Sequence, residues 1–217
     1  MSGPVVKVCG ARTPADLEVL AGAGVDPVGV WCGVPGGHAD LPPATAAALL
    51  AANAPEPVLV TLHGEGLPDL VRRTGARRVQ LHGHQSPNLV RRLTADGVSV
   101  IKVLHLRGGR CLQQGLIPAY RRAGVGAFLI DTADGARLGS TGTAADPALL
   151  AAVAAELGTP FLVAGGITAA DRDRFADVVS HPDFLGVDVD TAARDAAGRL
   201  SGDRVAALVR GWAGSPR

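Results

Sequence analysis

The chain has 217 residues, of which 47% are hydrophobic and 19% charged, and its formal net charge is +1. This length and composition suit a globular protein with one sizeable core and exclude a disordered chain. The nearly balanced charge gives no general attraction to nucleic acid or to an anionic membrane surface. We therefore expect one domain over residues 1–217, with neither nucleic acid nor membrane as a partner.

The cysteine content and the amino terminus favour a cytoplasmic location. Three cysteines at irregular spacing do not predict a disulfide framework. The start of the chain lacks the basic and apolar segments of a signal peptide. No apolar run approaches the ~20 residues that a membrane-spanning helix needs.

Eight short apolar runs rich in β-branched residues follow one another along the chain. Most lack strict alternation with polar residues, which is typical of parallel strands covered on both faces. The predicted strands are Pro4–Gly10, Pro27–Cys32, Pro57–Leu62, Arg78–Gly83, Val98–Leu104, Ala127–Asp131, Pro160–Gly165 and Phe184–Asp190.

Segments with helical periodicity separate and follow these runs, and several of them open with Thr-Pro, Ser-Pro or Asp-Pro. Proline suits the first turn of a helix. The predicted helices are Thr13–Ala23, Pro43–Ala52, Leu67–Thr74, Pro87–Asp96, Leu112–Ala123, Pro147–Leu157, Ala169–Val179 and Asp203–Trp212. Eight alternations predict an α/β protein, a single (β/α)8 TIM barrel. A doubly wound open sheet is the rival, but the first turn lacks a Gly-x-Gly-x-x-Gly motif.

Cys9 stands at the carboxyl end of the first predicted strand, directly before Gly10. In a barrel of this kind the carboxyl ends of the strands form the catalytic face. A thiol at that place can act as a base or a nucleophile when its surroundings lower its pKa. The alternative is a buried cysteine that serves as a small hydrophobic residue.

Asp131 ends the very apolar segment Phe128–Ile130. Loss of water around such a carboxyl group raises its pKa, so Asp131 is a candidate general acid. A thiol-derived base and a carboxylic acid in one pocket can divide proton transfer between them. The alternative for Asp131 is a residue that caps a helix or forms a turn.

Further polar residues lie at the ends of other predicted strands. Gln80 and His82 are two positions apart and therefore share one face of their strand. Lys102 is either a structural lysine of the barrel interior or a catalytic one. The remaining strand-end candidates are His105, Gly165, Gly166, Asp188 and Asp190. The histidines and cysteines do not have a metal-ligand spacing, so we expect no metal site.

A set of short motifs occurs in the order found in the phosphoribosylanthranilate isomerase family. They are Val6–Gly10, Val79–Gly83, Ile101–Val103, Leu129–Thr132, Gly139–Gly142, Ala164–Gly166 and Gly186–Val189. The chain resembles this family from Val5 to about Asp203. The Gln-Leu-His-Gly and Cys-Gly motifs are fairly specific when they occur together, whereas Ala-Gly-Gly alone is found in many barrels.

The resemblance implies an Amadori rearrangement of an aldosylamine to a 1-amino-1-deoxyketose in tryptophan biosynthesis, without metal or organic cofactor. It implies that Asp131 protonates the ribose ring oxygen and that Cys9 removes the C2 proton. The expected partner is a small-molecule substrate, and the expected assembly is a monomer or a homodimer. The expected substrate-binding residues are His38, Gln80, His82, Gly142, Gly165, Gly166, Asp188, Asp190 and Thr191.

The chain departs from the family pattern at both ends of the expected substrate pocket. His38 stands where the family has an arginine that faces the anthranilate part of the substrate, and histidine cannot make a bidentate carboxylate contact. Asp190, Thr191 and Ala192 replace the family's Ser-Ser-Gly at the phosphate, where a carboxylate brings like charges together. Arg194 is one candidate to offset this repulsion, and the amides of Gly165–Gly166 are another.

Three functions stay open on the sequence. The chain is the isomerase of the family with unusual loops, or a diverged enzyme of specialised metabolism that uses Cys9 and Asp131 on a different small molecule, with or without a phosphate. The third alternative is a barrel without catalysis that binds a ligand. The retained pair of Cys9 and Asp131 argues against the third alternative, and Asp190 argues against the first.

Overall fold

A computed structural model describes residues 3–134, 137–138 and 146–212. Its strands in chain order are β1 (Val5–Cys9), β2 (Val28–Trp31), β3 (Pro57–Thr61), β4 (Arg78–Leu81), β5 (Ser99–Arg107), β6 (Arg110–Cys111), β7 (Ala127–Asp134), β8 (Arg137–Leu138), β9 (Phe161–Val163) and β10 (Phe184–Val189).

Eight of these strands form a closed parallel barrel. Hydrogen-bonded neighbours follow in the order β1, β2, β3, β4, β5, β7, β9 and β10, and β10 pairs back with β1. The two-residue strands β6 and β8 only fold back, antiparallel, on the ends of β5 and β7. The predicted TIM barrel is therefore confirmed.

Helices lie between the barrel strands and after the last one. They are α1 (Pro14–Gly22), α2 (Pro43–Leu50), α3 (Leu67–Thr74), α4 (Pro87–Ala95), α5 (Ile117–Arg122), α6 (Pro147–Leu157), α7 (Ala176–Val179) and α8 (Gly202–Trp212). Proline occupies the first or second position of α1 to α6, where its missing N–H costs no helix hydrogen bond. None of the described helices is long and apolar enough to cross a membrane.

Two predicted helices are shorter than their sequence patterns suggest. The stretch before α5 is a 3₁₀ turn over Gln114–Leu116, and the stretch before α7 is another over Asp173–Phe175. In both places the apolar periodicity covers a 3₁₀ turn and a short α-helix together, so periodicity alone could not separate them. The fifth strand is also longer than predicted, because β5 continues into the hairpin with β6.

The core has two layers that the strand alternation keeps apart. Residues facing the helices form the larger cluster, which includes Val6, Val8, Val187 and Val189. Residues facing the barrel axis form the smaller cluster of Val58, Ile101, Val103, Ala127, Leu129, Leu162 and Ala164. The side chains of this smaller cluster fill the barrel below its carboxyl-terminal mouth. The polar inner-face residues above them therefore share one water-poor space.

Candidate active site

Strand alternation places Lys7 and Cys9 on the inner face of β1. Their neighbours Val6 and Val8 pack outward against the helices, so positions 7 and 9 face the barrel axis. On the adjacent strand, Cys9 pairs with Gly29. A β-carbon built on Gly29 would lie 2.5 Å from the Cys9 sulfur, so only glycine leaves room for this thiol.

Cys9, Lys7 and Asp188 form one buried polar group. The Lys7 ammonium donates hydrogen bonds to Cys9 Sγ at 2.7 Å and to both Asp188 carboxylate oxygens at 2.9 Å. Cys9 Sγ lies 3.5 Å from Asp188 Oδ2. Because Asp188 pairs with Lys7 in the register of β1 and β10, the barrel closure itself brings this charge pair together.

The protonation of this group follows from burial and from its two charges. Burial raises the pKa of the Cys9 thiol to about 12; Asp188 adds to this effect and Lys7 opposes it. Burial alone would lower the pKa of Lys7, but Asp188 and Cys9 outweigh it, so the pKa lies above its ordinary value. At neutral pH the resting group therefore contains an ammonium, a carboxylate and a thiol.

Asp131 lies in β7 on the same inner face, and β9 and β10 separate this strand from β1. It is 3% exposed and belongs to the inner layer just above Leu129. Burial raises its pKa to about 7, and the Asp188 carboxylate acts in the same direction. The predicted rise in the pKa of Asp131 is confirmed, and the group is a carboxylic acid for much of the population near neutrality.

Gln80 and His82 connect the Cys9 side of the mouth with the Asp131 side. The amide nitrogen of Gln80 lies 3.5 Å from Asp188 Oδ2 and 3.5 Å from His82 Nδ1. His82 Nε2 in turn lies 3.5 Å from Asp131 Oδ2. The predicted common face of Gln80 and His82 is confirmed. A continuous series of polar contacts therefore runs from the thiol to the carboxylic acid.

His105 and Gln113 were not linked by any sequence pattern, yet they form a buried pair beside Asp131. The Gln113 side-chain carbonyl accepts a hydrogen bond from the His105 backbone N–H at 2.8 Å, which fixes the orientation of the amide. Its amide nitrogen then donates to His105 Nδ1 at 2.8 Å. Burial lowers the pKa of His105 to about 3, so the ring is neutral.

Lys102 does not line the barrel interior. Its neighbours Ile101 and Val103 belong to the inner cluster, so Lys102 points toward the helices. Its ammonium donates to the carbonyls of Leu81, Gly83 and Val103 at 2.7–3.1 Å. This lysine is therefore structural. The prediction of a lysine in the barrel interior was wrong, because position 102 alternates with the inward-facing positions 101 and 103 and so faces the helices.

After the end of β10, the side chain of Arg194 lies between Asp190 and the loop that follows β1. Its Nε donates to Asp190 Oδ1 at 2.7 Å, and Nη2 donates to the carbonyls of Cys9 and Gly10 at 3.1 and 3.0 Å. His38 Nε2 lies 3.5 Å from the same Asp190 oxygen. The charge of Asp190 is thus paired within the chain, and Arg194 also anchors the backbone of Cys9.

The remaining predicted substrate-binding residues lie around the mouth or beyond the described chain. Gly165 and Gly166 follow β9 with positive φ angles, and a β-carbon on Gly165 would lie 2.3 Å from Thr132 Oγ1. Thr191 is exposed and begins a 3₁₀ turn. Gly142 lies outside the described residues. Within the described ranges, no three His, Cys, Asp or Glu side chains are grouped so that they could hold a metal ion.

Comparison with known proteins decides the family. A family model described as N-(5'phosphoribosyl)anthranilate (PRA) isomerase matches residues 53–210. The chain belongs to this family. The PRA isomerase of Haloferax volcanii is 32% identical over 209 residues, which cover 94% of this chain and 90% of the relative. The chain is thus a member of a family of isomerases.

Solved PRA isomerases share the fold. The enzyme from Thermococcus kodakaraensis is 25% identical with a TM-score of 0.76, over 96% of this chain and 98% of the other. A second PRA isomerase, in complex with reduced 1-(o-carboxyphenylamino)-1-deoxyribulose 5-phosphate, is 22% identical with a TM-score of 0.75, over 97% and 98%. At 22% identity, the likeness to the second structure shows a shared fold and nothing further.

Proposed function

We propose that this chain isomerises N-(5'-phosphoribosyl)anthranilate to the corresponding 1-amino-1-deoxyketose, as a step of tryptophan biosynthesis. One observation carries the proposal beyond family membership. A thiol and a carboxylic acid, both buried, lie on the inner face of one barrel mouth and are joined by Asp188, Gln80 and His82. The rearrangement needs a proton donor and a proton acceptor that act on neighbouring atoms of one substrate.

In the first step Asp131 donates its proton to the ring oxygen of the ribose. The C1–O bond breaks, and the nitrogen lone pair forms an iminium at C1. The pKa of Asp131, about 7, suits this role because the group holds a proton near neutrality and still releases it readily. The Gln80–His82 pair beside the carboxyl group provides polar contact for the carboxylate that results.

In the second step Cys9 removes the proton from C2, and the electrons of that bond form the enolamine. The resting thiol first passes its proton to Asp188 Oδ2, 3.5 Å away, and the Lys7 ammonium at 2.7 Å stabilises the thiolate. This internal transfer leaves the total charge of the three groups unchanged. The base is therefore generated without release of a proton to the solvent, although the thiol pKa is about 12.

The enolamine then becomes the ketone, and the site returns to its starting state. Cys9 returns the abstracted proton to C1, and the proton of the C2 hydroxyl group restores Asp131. Asp188 gives its proton back to Cys9. Every proton is thus accounted for by the substrate and three side chains, and no external oxidant or reductant is needed.

Purified protein and synthetic N-(5'-phosphoribosyl)anthranilate test this function directly. We expect the protein to consume the substrate, as followed by chromatography of the reaction mixture. We also expect the gene to restore growth of a tryptophan auxotroph that lacks this isomerase. A folded, well-expressed protein that neither consumes the substrate nor restores growth would contradict the proposal.

The contacts of Asp190 favour a second candidate, an enzyme of the same acid–base chemistry with an unphosphorylated substrate. The side chain of Arg194 is engaged by Asp190 and by the carbonyls of Cys9, Gly10 and Gly198, so it is poorly placed to bind a phosphate as well. Inorganic phosphate separates the candidates. Occupation of a phosphate subsite raises the melting temperature by mass action, whereas the second candidate predicts no shift.

A further inference from the structure

The geometry points to Trp31 as the residue that binds the aromatic acid portion of the substrate, by packing against its ring and donating Nε1–H to its carboxylate. This inference rests on the proposed function and adds a specificity-determining residue that none of the family motifs in the sequence includes.

Trp31 is the last residue of β2 and faces the barrel axis. Gly29, two residues earlier, lies against the Cys9 sulfur, while Val28 and Val30 pack toward the helices. Side chains two positions apart share a face, so Trp31 stands one layer above Cys9 and about 7 Å further along the neighbouring strand. The indole ring is therefore at the level of the mouth, on the side of the proposed base.

Two loop residues hold the ring in place. A β-carbon on Gly37 would lie 3.0 Å from the Cε3 and Cζ3 atoms of Trp31, so the loop backbone passes close to the benzene edge of the indole. The ring of His38 meets the indole edge-on, with centroids 4.9 Å apart. The indole is partly exposed. A fixed aromatic surface beside a catalytic group suits a planar aromatic ligand, because offset aromatic pairs gain more than buried area alone.

The indole nitrogen supports the same conclusion. Nε1 is shielded from water and has no hydrogen-bond partner among the described residues. Buried indole N–H groups usually have an acceptor, and an orphaned one is costly. When the groups that cover Nε1 move on binding, a carboxylate ortho to the amine of the substrate is such an acceptor, and a hydrogen bond to a charged acceptor is stronger than one to a neutral acceptor.

His38 is a poorer candidate for this carboxylate. Its Nε2 lies 3.5 Å from the Asp190 carboxylate, so a substrate carboxylate bound to His38 would approach a like charge. The reaction also places the aryl group near Trp31. Cys9 acts on C2, and the arylamine nitrogen is attached to the adjacent C1. The aryl ring must therefore lie within a few bond lengths of the thiol.

Binding calorimetry with the full chain tests the inference without relying on turnover. The main probe is reduced 1-(o-carboxyphenylamino)-1-deoxyribulose 5-phosphate, and the second is its phenyl analogue without the carboxylate. The third probe, ribulose 5-phosphate, lacks the aryl group. The variants are Trp31→Phe, which keeps a ring but loses N–H, and Trp31→Leu, which loses both. Trp212→Phe is the matched control, because Trp212 is buried in α8 and donates to Thr168.

We expect Trp31→Phe to weaken binding of the main probe about tenfold or more and to leave binding of the phenyl analogue nearly unchanged. Trp31→Leu should weaken binding of both aryl probes, but not of ribulose 5-phosphate. Melting curves with and without probe verify that each variant is folded.

Equal affinities of wild type and both Trp31 variants for the main probe would overturn the inference while the proposed function stands. The inference would also be overturned, while the proposed function stands, if Trp31→Leu weakened binding of ribulose 5-phosphate as much as binding of the aryl probes. Failure of the wild-type protein to bind any of the probes would overturn the inference and the proposed function together.

Discussion

The two sides of the barrel mouth are equally buried but opposite in their electrostatics. On the β1 side, the Cys9 thiol touches an ammonium and lies close to a carboxylate. On the β7 side, Asp131 lies 3.5 Å from His82 Nε2, and the Asp188 carboxylate acts on it as a like charge. Burial favours the protonated form of both groups. The Lys7 ammonium opposes this effect at Cys9 and is the cation that can stabilise a thiolate.

In the proposed mechanism, an acid and a base in one cavity are therefore not separated by solvent exposure. The neighbours of each group decide its role, because Lys7 and Asp188 are supplied by adjacent strands through register alone. Asp131 is at the end of an apolar segment and has no ammonium within hydrogen-bond distance among its described contacts. Changes that remove either group, or shift it slightly, test whether both sides are required.

We expect the largest effect from the loss of either of the two proposed proton-transfer groups. Cys9→Ser and Asp131→Asn should each lower kcat by about 10³-fold or more, since a positioned acid or base is worth about 10²–10⁴ in rate. Steady-state kinetics with N-(5'-phosphoribosyl)anthranilate measures the effect, and circular dichroism verifies the fold. A variant that retains wild-type kcat would remove that residue from the proposed pair.

A smaller but more specific effect is expected from Gly29→Ala. The added methyl group would lie 2.5 Å from the Cys9 sulfur and 3.2 Å from Lys7 Nζ, so the thiol must move although no polar group is removed. A displacement of about 1 Å at a reacting group costs about 10² in rate. We expect kcat to fall by this amount with KM little changed.

Gly22→Ala is the matched control, because a β-carbon on Gly22 meets no atom within 4 Å. Both variants should have the same secondary structure. If Gly29→Ala is as active as Gly22→Ala, the position of Cys9 does not control the rate and the β1 side of the account fails.

For Asp131, on the β7 side, we predict an effect on the stability of the folded state. The pKa of Asp131 is raised from 3.8 to about 7 on folding, so the folded state binds the proton more tightly than the unfolded state. The resulting contribution is fully present below pH 3.8 and is lost as the pH rises through about 7. Above that pH the folded protein must bury a carboxylate, which costs a few kcal/mol.

Asp131→Asn removes this cost because its side chain never ionises. We expect the variant to be more stable than wild type in alkaline buffer, with the difference shrinking as the pH falls below 7. Thermal unfolding at several pH values measures it. A stability difference independent of pH would show that Asp131 does not titrate in this range.

Much of the fold followed from the sequence because the barrel repeats one local pattern. Alternating apolar runs and proline-led helices are visible residue by residue, and Leu67–Thr74 and Pro147–Leu157 have the predicted bounds. The hairpins of β5 with β6 and of β7 with β8 were missed, because two-residue strands carry no periodic signal. The sequence also could not separate 3₁₀ turns from the short helices that follow them.

The site was predictable only in part. Cys9 and Asp131 could be selected by their places at strand ends, and Lys7 had a usable signal, since it stands two residues before Cys9 and shares its face. The contact of Lys7 with Asp188 depends on barrel closure between the first and last strands, because the two residues are 181 positions apart in the chain. The engagement of Arg194 with Cys9 and Gly10 likewise depends on long-range packing, which a local pattern does not encode.

The pH dependence of kcat/KM tests the central claim most directly, because it reports the protonation of the free enzyme. The account predicts that kcat/KM falls as the pH rises above about 7, when Asp131 loses its proton, and that no rising limb attributable to Cys9 appears near neutrality. The residual activity of Asp131→Asn should lack this fall. A rate that increases steadily through neutral and alkaline pH would contradict the account, because it would mean that the enzyme works with Asp131 ionised.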